Sequence, residues 1–217
     1  MAKIRPIEQT WKFVAGRLCL NFINTVGGRA KSGAVLRDKL ADYGDLLEWS
    51  LLGDLVGPTE ARRLARLAAS RRRDAQGTLQ RALRLREALF GIFKSAADGR
   101  RPRAVDLNIL GQELRVARAH ERLKQTGRAF AWTWEEDKTA LDRILWPISQ
   151  SAAELLTSGH LSRLRQCGGN ECGWLFLDTS RNGSRLWCDM KDCGNRAKVR
   201  RFRSRQKRSP AKPAQPR

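Results

Sequence analysis

Four of the five cysteines constrain this chain more than any other feature. Cys167 and Cys172 form one C-x4-C pair, Cys188 and Cys193 form a second, and fifteen residues separate the two pairs. Two such pairs can bring four thiolates to one tetrahedral ion, as structural zinc sites require. The spacing therefore predicts one structural Zn²⁺ held by these four cysteines, with a small finger folded around it.

Two disulfides or four unrelated buried thiols are the alternative interpretations of these cysteines. Disulfides form in oxidising compartments, but residues 1–10 lack the apolar core of a secretory signal peptide. We therefore expect a cytoplasmic protein with reduced, metal-bound cysteines. Four thiolate ligands leave no open coordination position, so the predicted zinc is structural and not catalytic.

The residues around the cysteine pairs predict the shape of the finger. Asn182-Gly183 favours a type I′ turn, because both residues tolerate positive φ. We expect this turn to join strands at 174–179 and 184–188 into a hairpin. The run 194–207 lacks proline and predicts a helix, with Val199 and Phe202 packed on that hairpin. The order of knuckle, hairpin and helix is treble-clef-like.

Around the cysteine pairs the chain carries a further set of characteristic residues: Cys193-Gly194-Asn195-Arg196, Trp174–Asp178, Ser180–Asn182, Arg185, Trp187-Cys188 and Lys198. This set resembles the CGNR-type zinc finger of bacterial transcription regulators. In that family the finger follows an ABATE-type domain that begins with a pattern like the Leu20–Thr25 segment here, with Asn21 where aspartate is usual. The resemblance implies a stress-induced regulator with a C-terminal finger.

Hydrophobic periodicity predicts a mainly α fold with a minor β component. The first helix is expected to start at about Asp38 or Asp42 and to end at residue 52. Further helices are expected at about 59–73, 76–97, 102–125 and 137–156, the last kinked near Pro147, and a flexible loop at 27–33. Phe130, Trp132 and Trp134 alternate along a strand, as core residues or as the wall of a ligand pocket. We expect a helical sensor or dimerisation domain at 1–160, the finger at 161–208 and a disordered basic tail at 209–217.

The chain carries 43 Lys and Arg against 22 Asp and Glu, a formal net charge of +21. Such an excess predicts a polyanion partner, most simply nucleic acid, although arginines such as Arg84 and Arg86 can equally form solvated faces or pair with an acidic effector. The sequence has no apolar run long enough to span a bilayer, so no membrane partner is expected.

The resemblance and the charge together predict a regulator that binds double-stranded DNA through the finger and its basic helix. The candidate contacts are Arg181, Asn182, Arg185, Asn195, Arg196, Lys198, Arg200, Arg201 and Arg203. Asn195 and Arg196 can instead brace the zinc knuckle. The alternative function is an RNA-binding accessory protein that stacks bases on Trp174, Phe176 or Trp187. A homodimer is expected if two half-sites are read.

The start of the N-terminal domain is the candidate for a small-molecule effector pocket. Asn21, Asn24 and Thr25 either line that pocket or satisfy backbone groups at the end of the Leu20–Thr25 segment. Cys19 lies within the same apolar segment and is expected to be a buried structural thiol. The sequence contains no convincing Cys-His pair, nucleophile elbow or paired carboxylates, so we do not expect an enzyme.

Overall fold

The computed structural model describes residues 11–29, 32–135, 137 and 139–208. Within these ranges lie α1 (Leu18–Ile23), β1 (Val26–Arg29), β2 (Val35–Asp38), α2 (Tyr43–Leu52), α3 (Pro58–Ser70), α4 (Arg72–Ala97), α5 (Ala104–Ala119), β3 (Glu121–Thr126), β4 (Ala129–Trp134), α6 (Leu145–Thr157), β5 (Leu164–Gln166), β6 (Leu175–Leu177) and α7 (Asn195–Arg208). The predicted mainly α fold with a minor β component is confirmed. The predicted tail at 209–217 lies outside the described residues.

The long helix α4 is the centre of the helical part. It packs against α1, α2, α3 and α5, and α6 completes the layer on the side of α1 and α5. Leu85, Leu89 and Phe93 recur at helical spacing along α4 and are fully buried. Of the two expected starts of α2, Asp38 and Asp42, the structure has the second, because Asp42 is the N-cap and forms a reciprocal capping box with Asp45.

Two predicted helices differ from the structure. The helix expected at 102–125 ends at Ala119, because residues 121–126 pair with β4 as strand β3. The kink expected at Pro147 is absent: a 3₁₀ turn covers Leu141–Ile144, and Pro147 sits in the first turn of α6. Proline is tolerated there because the first N–H groups of a helix have no intrahelical acceptor.

The hairpin β3–β4 presents an exposed aromatic face. Phe130 is 66% and Trp132 69% exposed, and Leu123 lies directly opposite Trp132 in the same register. Trp134 alone turns inward, where its ring contacts Trp146. The default prediction of core packing for Phe130 and Trp132 is therefore wrong, because no other element of the described chain covers the outer part of this hairpin.

Two buried arginines hold hairpin β1–β2 against α4 through ion pairs with carboxylates at the surface. Arg86 is only 2% exposed and donates from Nη1 and Nη2 to the two carboxylate oxygens of Asp38, at 2.8 and 2.6 Å. Arg29, equally buried, donates to both oxygens of Glu87 and lies 3.8 Å from the centre of the Phe90 ring. The predictions of a solvated Arg86 and of a loop throughout 27–33 are wrong.

The finger's strands do not pair as predicted. Strand β6 pairs antiparallel with β5, Leu164 opposite Leu177, so the Cys167–Cys172 knuckle closes the hairpin. Segment 184–188 is not a strand, and the residues around Gly183 form a turn closed by its N–H and the Ser180 carbonyl, 3.3 Å apart. Gly183 has φ +63°, but Asn182 does not have positive φ, which excludes a type I′ turn.

The finger and the helices share one hydrophobic cluster. Strand β6 contacts α1 and α4, the Arg29 N–H donates to the Cys172 carbonyl at 3.1 Å, and Trp174 Nε1 donates to the Val26 carbonyl at 3.0 Å. Hairpin β1–β2 thus lies directly against the knuckle. The division into domains 1–160 and 161–208 stays a prediction.

Candidate metal centre and basic helix

The four predicted zinc ligands meet at one point. Cys167 directly follows β5, and Cys172 precedes β6. Cys188 follows the 178–187 loop, and Cys193 lies in a π-helical turn, Met190–Gly194. All four are buried and their sulfurs lie within 4.8 Å of one another, with Cys172 to Cys188 at 3.6 Å and Cys188 to Cys193 at 3.7 Å. Tetrahedral Zn–S bonds of about 2.3 Å place sulfurs about 3.8 Å apart. The cluster fits one structural zinc ion.

Hydrogen bonds from a backbone N–H and from an arginine stabilise negative charge on the sulfurs. The Cys188 N–H donates to the Cys167 sulfur at 3.3 Å, and Arg196 Nη2 donates to the Cys193 sulfur at 3.1 Å. That second bond is the main cause of a raised pKa for Arg196, which also pairs with Asp192 at 3.1 Å. Thiolates that bind zinc are oriented by such partners. Arg196 therefore braces the knuckle, one of the two roles expected for it.

A buried carboxylate organises the loop that carries Cys188. Asp178 accepts from the Ser180 N–H at 2.8 Å and from the Arg185 N–H at 3.0 Å, and it is fully buried. Arg185 then turns inward: Nε donates to the Trp187 carbonyl at 2.9 Å, Nη2 donates to the Val14 carbonyl at 3.1 Å, and the guanidinium lies 4.4 Å from the Phe176 ring centre. Sequence reasoning missed Asp178, although an Asp two residues before Ser is typical of such turns.

The predicted DNA-contacting residues fall into two groups. Arg185, Asn195 and Arg196 make hydrogen bonds within the protein, Asn195 to the Lys191 carbonyl at 3.1 Å. The remaining residues are exposed on the loop or on α7: Arg181, Asn182, Lys198, Arg200, Arg201 and Arg203. Val199 and Phe202, predicted to pack on the hairpin, are 48% and 62% exposed. That prediction is wrong because α7 projects from the π-helical turn and not across the finger.

The three candidate effector residues satisfy backbone groups. Asn24 is buried, donating to the Leu175 carbonyl at 2.8 Å and accepting from the Leu175 N–H at 3.1 Å. Thr25 Oγ1 donates to the Phe22 carbonyl at 2.7 Å, and Asn21 accepts from the Ala15 N–H at 3.0 Å. These two hydrogen bonds of Asn24 join the end of α1 to the finger strand β6.

An open cleft of about 570 Å³ lies between the finger and hairpin β1–β2. Its walls include Arg37 and Lys39 on one side and Trp174 and Arg200 on the other. The buried Lys39 amine lies 5.6 Å from the ring centre of Trp174, and burial is the main cause of its lowered pKa. Sequence reasoning missed this cleft, because its two walls lie more than a hundred residues apart.

Comparison with known families assigns both parts of the chain. Residues 16–159 match the ABATE model, described as "Putative stress-induced transcription regulator", and residues 163–206 match the CGNR zinc finger. The chain belongs to the ABATE family. The architecture expected from the resemblance is confirmed for this ABATE protein, which is a regulatory zinc-binding protein of two non-enzymatic families. No curated protein matches it. In the described part of this ABATE protein, no helix has the length and apolarity to cross a membrane.

Proposed function

We propose that this ABATE protein is a zinc-dependent transcription regulator that binds duplex DNA through α7 and the adjoining loop. The observation that carries the proposal is the exposure and the positive charge of α7. Every side chain from Lys198 to Gln206 is exposed, and residues 195–208 include eight Lys and Arg and no acidic residue. A helix that buries no face and repeats like charges is poorly stabilised by itself. Neutralisation by phosphates supplies the missing stabilisation.

Zinc links the fold to this helix. The π-helical turn that carries Cys193 leads directly into α7, and Arg196 in the first turn of α7 donates to the Cys193 sulfur. Removal of the ion would leave four buried thiols without their common ligand and release the anchor of α7. DNA binding is therefore expected to require zinc, because a finger of this size depends on metal binding for its fold.

The exposed side chains suit phosphate contacts better than those that already make hydrogen bonds within the protein. Arg200 and Arg203 lie on α7 without a hydrogen-bond partner among the described residues, whereas Arg185 is committed to three backbone carbonyls. Trp174 and Phe176 are buried, and Trp187 is half-buried and packed against the core, so these three residues do not form the open base-stacking surface that the RNA alternative needs. Both observations support duplex binding.

The decisive experiment measures binding of zinc-loaded protein to fluorescent genomic duplex fragments, with RNA as competitor, across a salt series and with a chelator. Arg200→Ala/Arg203→Ala should weaken binding to all duplexes and reduce the salt slope by about 2, since each phosphate contact contributes about 0.9. Arg66→Ala/Arg73→Ala, which removes the same charge from exposed sites on α3 and α4, is the matched control and should change neither. Preferred binding of RNA, or binding unaffected by chelation, would contradict the proposal.

A homodimer is part of the proposal, with the aromatic face of β3–β4 as its contact. Leu123, Phe130 and Trp132 form an uncharged exposed surface on a chain of net charge +21, so two copies can meet there without direct charge repulsion. Trp132→Ser should convert a dimer to a monomer in light scattering without loss of helical circular dichroism. A wild-type monomer at micromolar concentration would refute this contact.

An effector is assigned to the cleft between the finger and β1–β2, in place of Asn21, Asn24 and Thr25. Lys39 lies close to the ring of Trp174 and beside Arg37 and Arg200, an arrangement that suits a small anion with an apolar part. A thermal-shift screen of phosphorylated and carboxylated metabolites tests it. Binding that survives in Lys39→Met would place the effector elsewhere.

A further inference from the structure

We infer that α7 is a recognition helix whose central face reads A·T base pairs in the major groove through Asn195, Val199, Phe202 and Gln206; this rests on the proposed duplex binding. These residues are spaced i, i+4, i+7 and i+11. At 3.6 residues per turn, that spacing places all four along one face of the helix.

The apolar members of this row are not part of a protein core. Val199 is 48% and Phe202 62% exposed, and the neighbouring turn residue Met190 is 51% exposed. Apolar side chains at i, i+3 spacing in the middle of a basic helix would normally be buried against another element. Their exposure on a projecting helix indicates a surface that an external partner covers.

Positive charge on both sides of the row identifies that partner. Helical geometry places Lys198 and Arg205 along one side of the central row and Arg203 along the other, which begins at Arg196, the residue held by the Cys193 sulfur. A helix about 10–12 Å across fits a major groove about 12 Å wide, between two phosphate backbones. Each basic row then meets one backbone.

The same charges disfavour other occupants of this face. The stripe spacing also suits a coiled coil, but a second copy of α7 would place cations against cations along both flanking rows. A membrane surface requires a broad apolar face opposite the charges. Here Arg200 and Arg201 continue the charge around the helix, and the apolar part of the face consists of Val199 and Phe202 alone.

The chemistry of the central row points to A·T pairs. Asn and Gln amides match the adenine N6 and N7 positions, and apolar side chains contact the thymine methyl group, whereas guanine is read mainly by Arg. Asn195 uses one amide N–H on the Lys191 carbonyl, which leaves its second N–H and its Oδ1 for a base. No Arg or Lys lies in the central row. From Asn195 to Gln206 the helix rises roughly 16 Å, which spans about four to five base pairs.

The test selects bound duplexes from a random pool with the full-length zinc-loaded protein, and then compares the enriched duplex, a scrambled one and the enriched duplex with deoxyuridine in place of thymidine. Wild type should enrich A·T-containing sites and lose at least fivefold in affinity on removal of the thymine methyl groups. Val199→Ala/Phe202→Ala should bind scrambled DNA within about twofold of wild type, lose at least tenfold in preference, and be insensitive to deoxyuridine. Arg201→Ala, on the opposite face, should weaken binding to all duplexes equally.

The outcomes separate this inference from the proposed function. No binding to any duplex removes both. Duplex binding without sequence preference, or preference that Val199→Ala/Phe202→Ala retains, overturns the recognition face and leaves the regulator proposal standing. Loss of self-association in that variant, with unchanged sequence preference, shows that a second copy covers the face and also overturns the inference. Because both substituted side chains are exposed, zinc content and circular dichroism should match wild type.

Discussion

Asn24→Ala should destabilise the protein strongly. Its amide satisfies both the N–H and the carbonyl of Leu175 on the outer edge of β6, and both residues are buried. Alanine would leave two backbone groups unpaired, at about 1–3 kcal/mol each, so the free energy of unfolding should fall by about 2–5 kcal/mol. For a chain of this size, Tm should drop by roughly 5–15 °C. Because Cys172 lies three residues before Leu175, zinc affinity should fall as well.

Urea unfolding of the zinc-loaded protein, followed by tryptophan fluorescence, measures this effect, and competition with a chelator measures the zinc affinity. Asn21→Ala is the matched control: it removes one hydrogen bond, to the Ala15 N–H, and should cost about 1 kcal/mol. A loss below about 1 kcal/mol for Asn24→Ala would refute the reasoning. If that variant instead lost binding of an effector found in the screen, the pocket hypothesis for Asn24 would return.

Three other changes test the fold around the zinc centre. Gly28→Ala places a methyl group 2.1 Å from a knuckle carbonyl oxygen and should cost about 1–3 kcal/mol in urea unfolding, whereas Gly77→Ala, in open space on α4, should be neutral or stabilising. Burial opposes ionisation of Asp38, but hydrogen bonds from Arg86 outweigh this effect and lower the pKa of its carboxyl group. The free energy of unfolding should therefore fall as the pH drops below about 4, and it should fall less steeply in Asp38→Asn. Burial raises the pKa of Cys19 to about 12, so iodoacetamide at pH 8 should label Cys19 only in the unfolded protein, as peptide mass spectrometry can show.

Local chemistry explains which predictions from sequence were confirmed. The zinc cluster follows from four thiols at two C-x4-C spacings, and one of the two expected starts of α2, Asp42, is selected by a capping box contained in four residues. At the start of α2 the residues that determine the structure are close together in the chain. In the finger, a single zinc ion requires four thiolate ligands. The structural role of Arg196 was one of two alternatives, and only the distance to the Cys193 sulfur distinguished them.

Long-range pairing explains the errors. Segment 184–188 has the composition of a strand, but β6 pairs with Leu164–Gln166, on the other side of the Cys167–Cys172 knuckle. Arg86 has the sequence signature of a surface residue, and it is buried because folding brings Asp38, 48 residues away, to its guanidinium, which also pairs with the adjacent Glu87. Phe130 and Trp132 have the signature of core residues but lie on a projecting hairpin. Burial depends on the neighbours that tertiary contacts supply.

The sequence by itself determined the metal, its four ligands, the mainly helical architecture and the family, because each depends on residue types at short or family-specific spacings. Only the tertiary structure decided that Asn24 joins α1 to β6, that β1 lies against the knuckle, and that α7 projects with Val199 and Phe202 exposed. These features result from contacts between segments far apart in the chain, and the local sequence pattern does not show how much such contacts stabilise the fold.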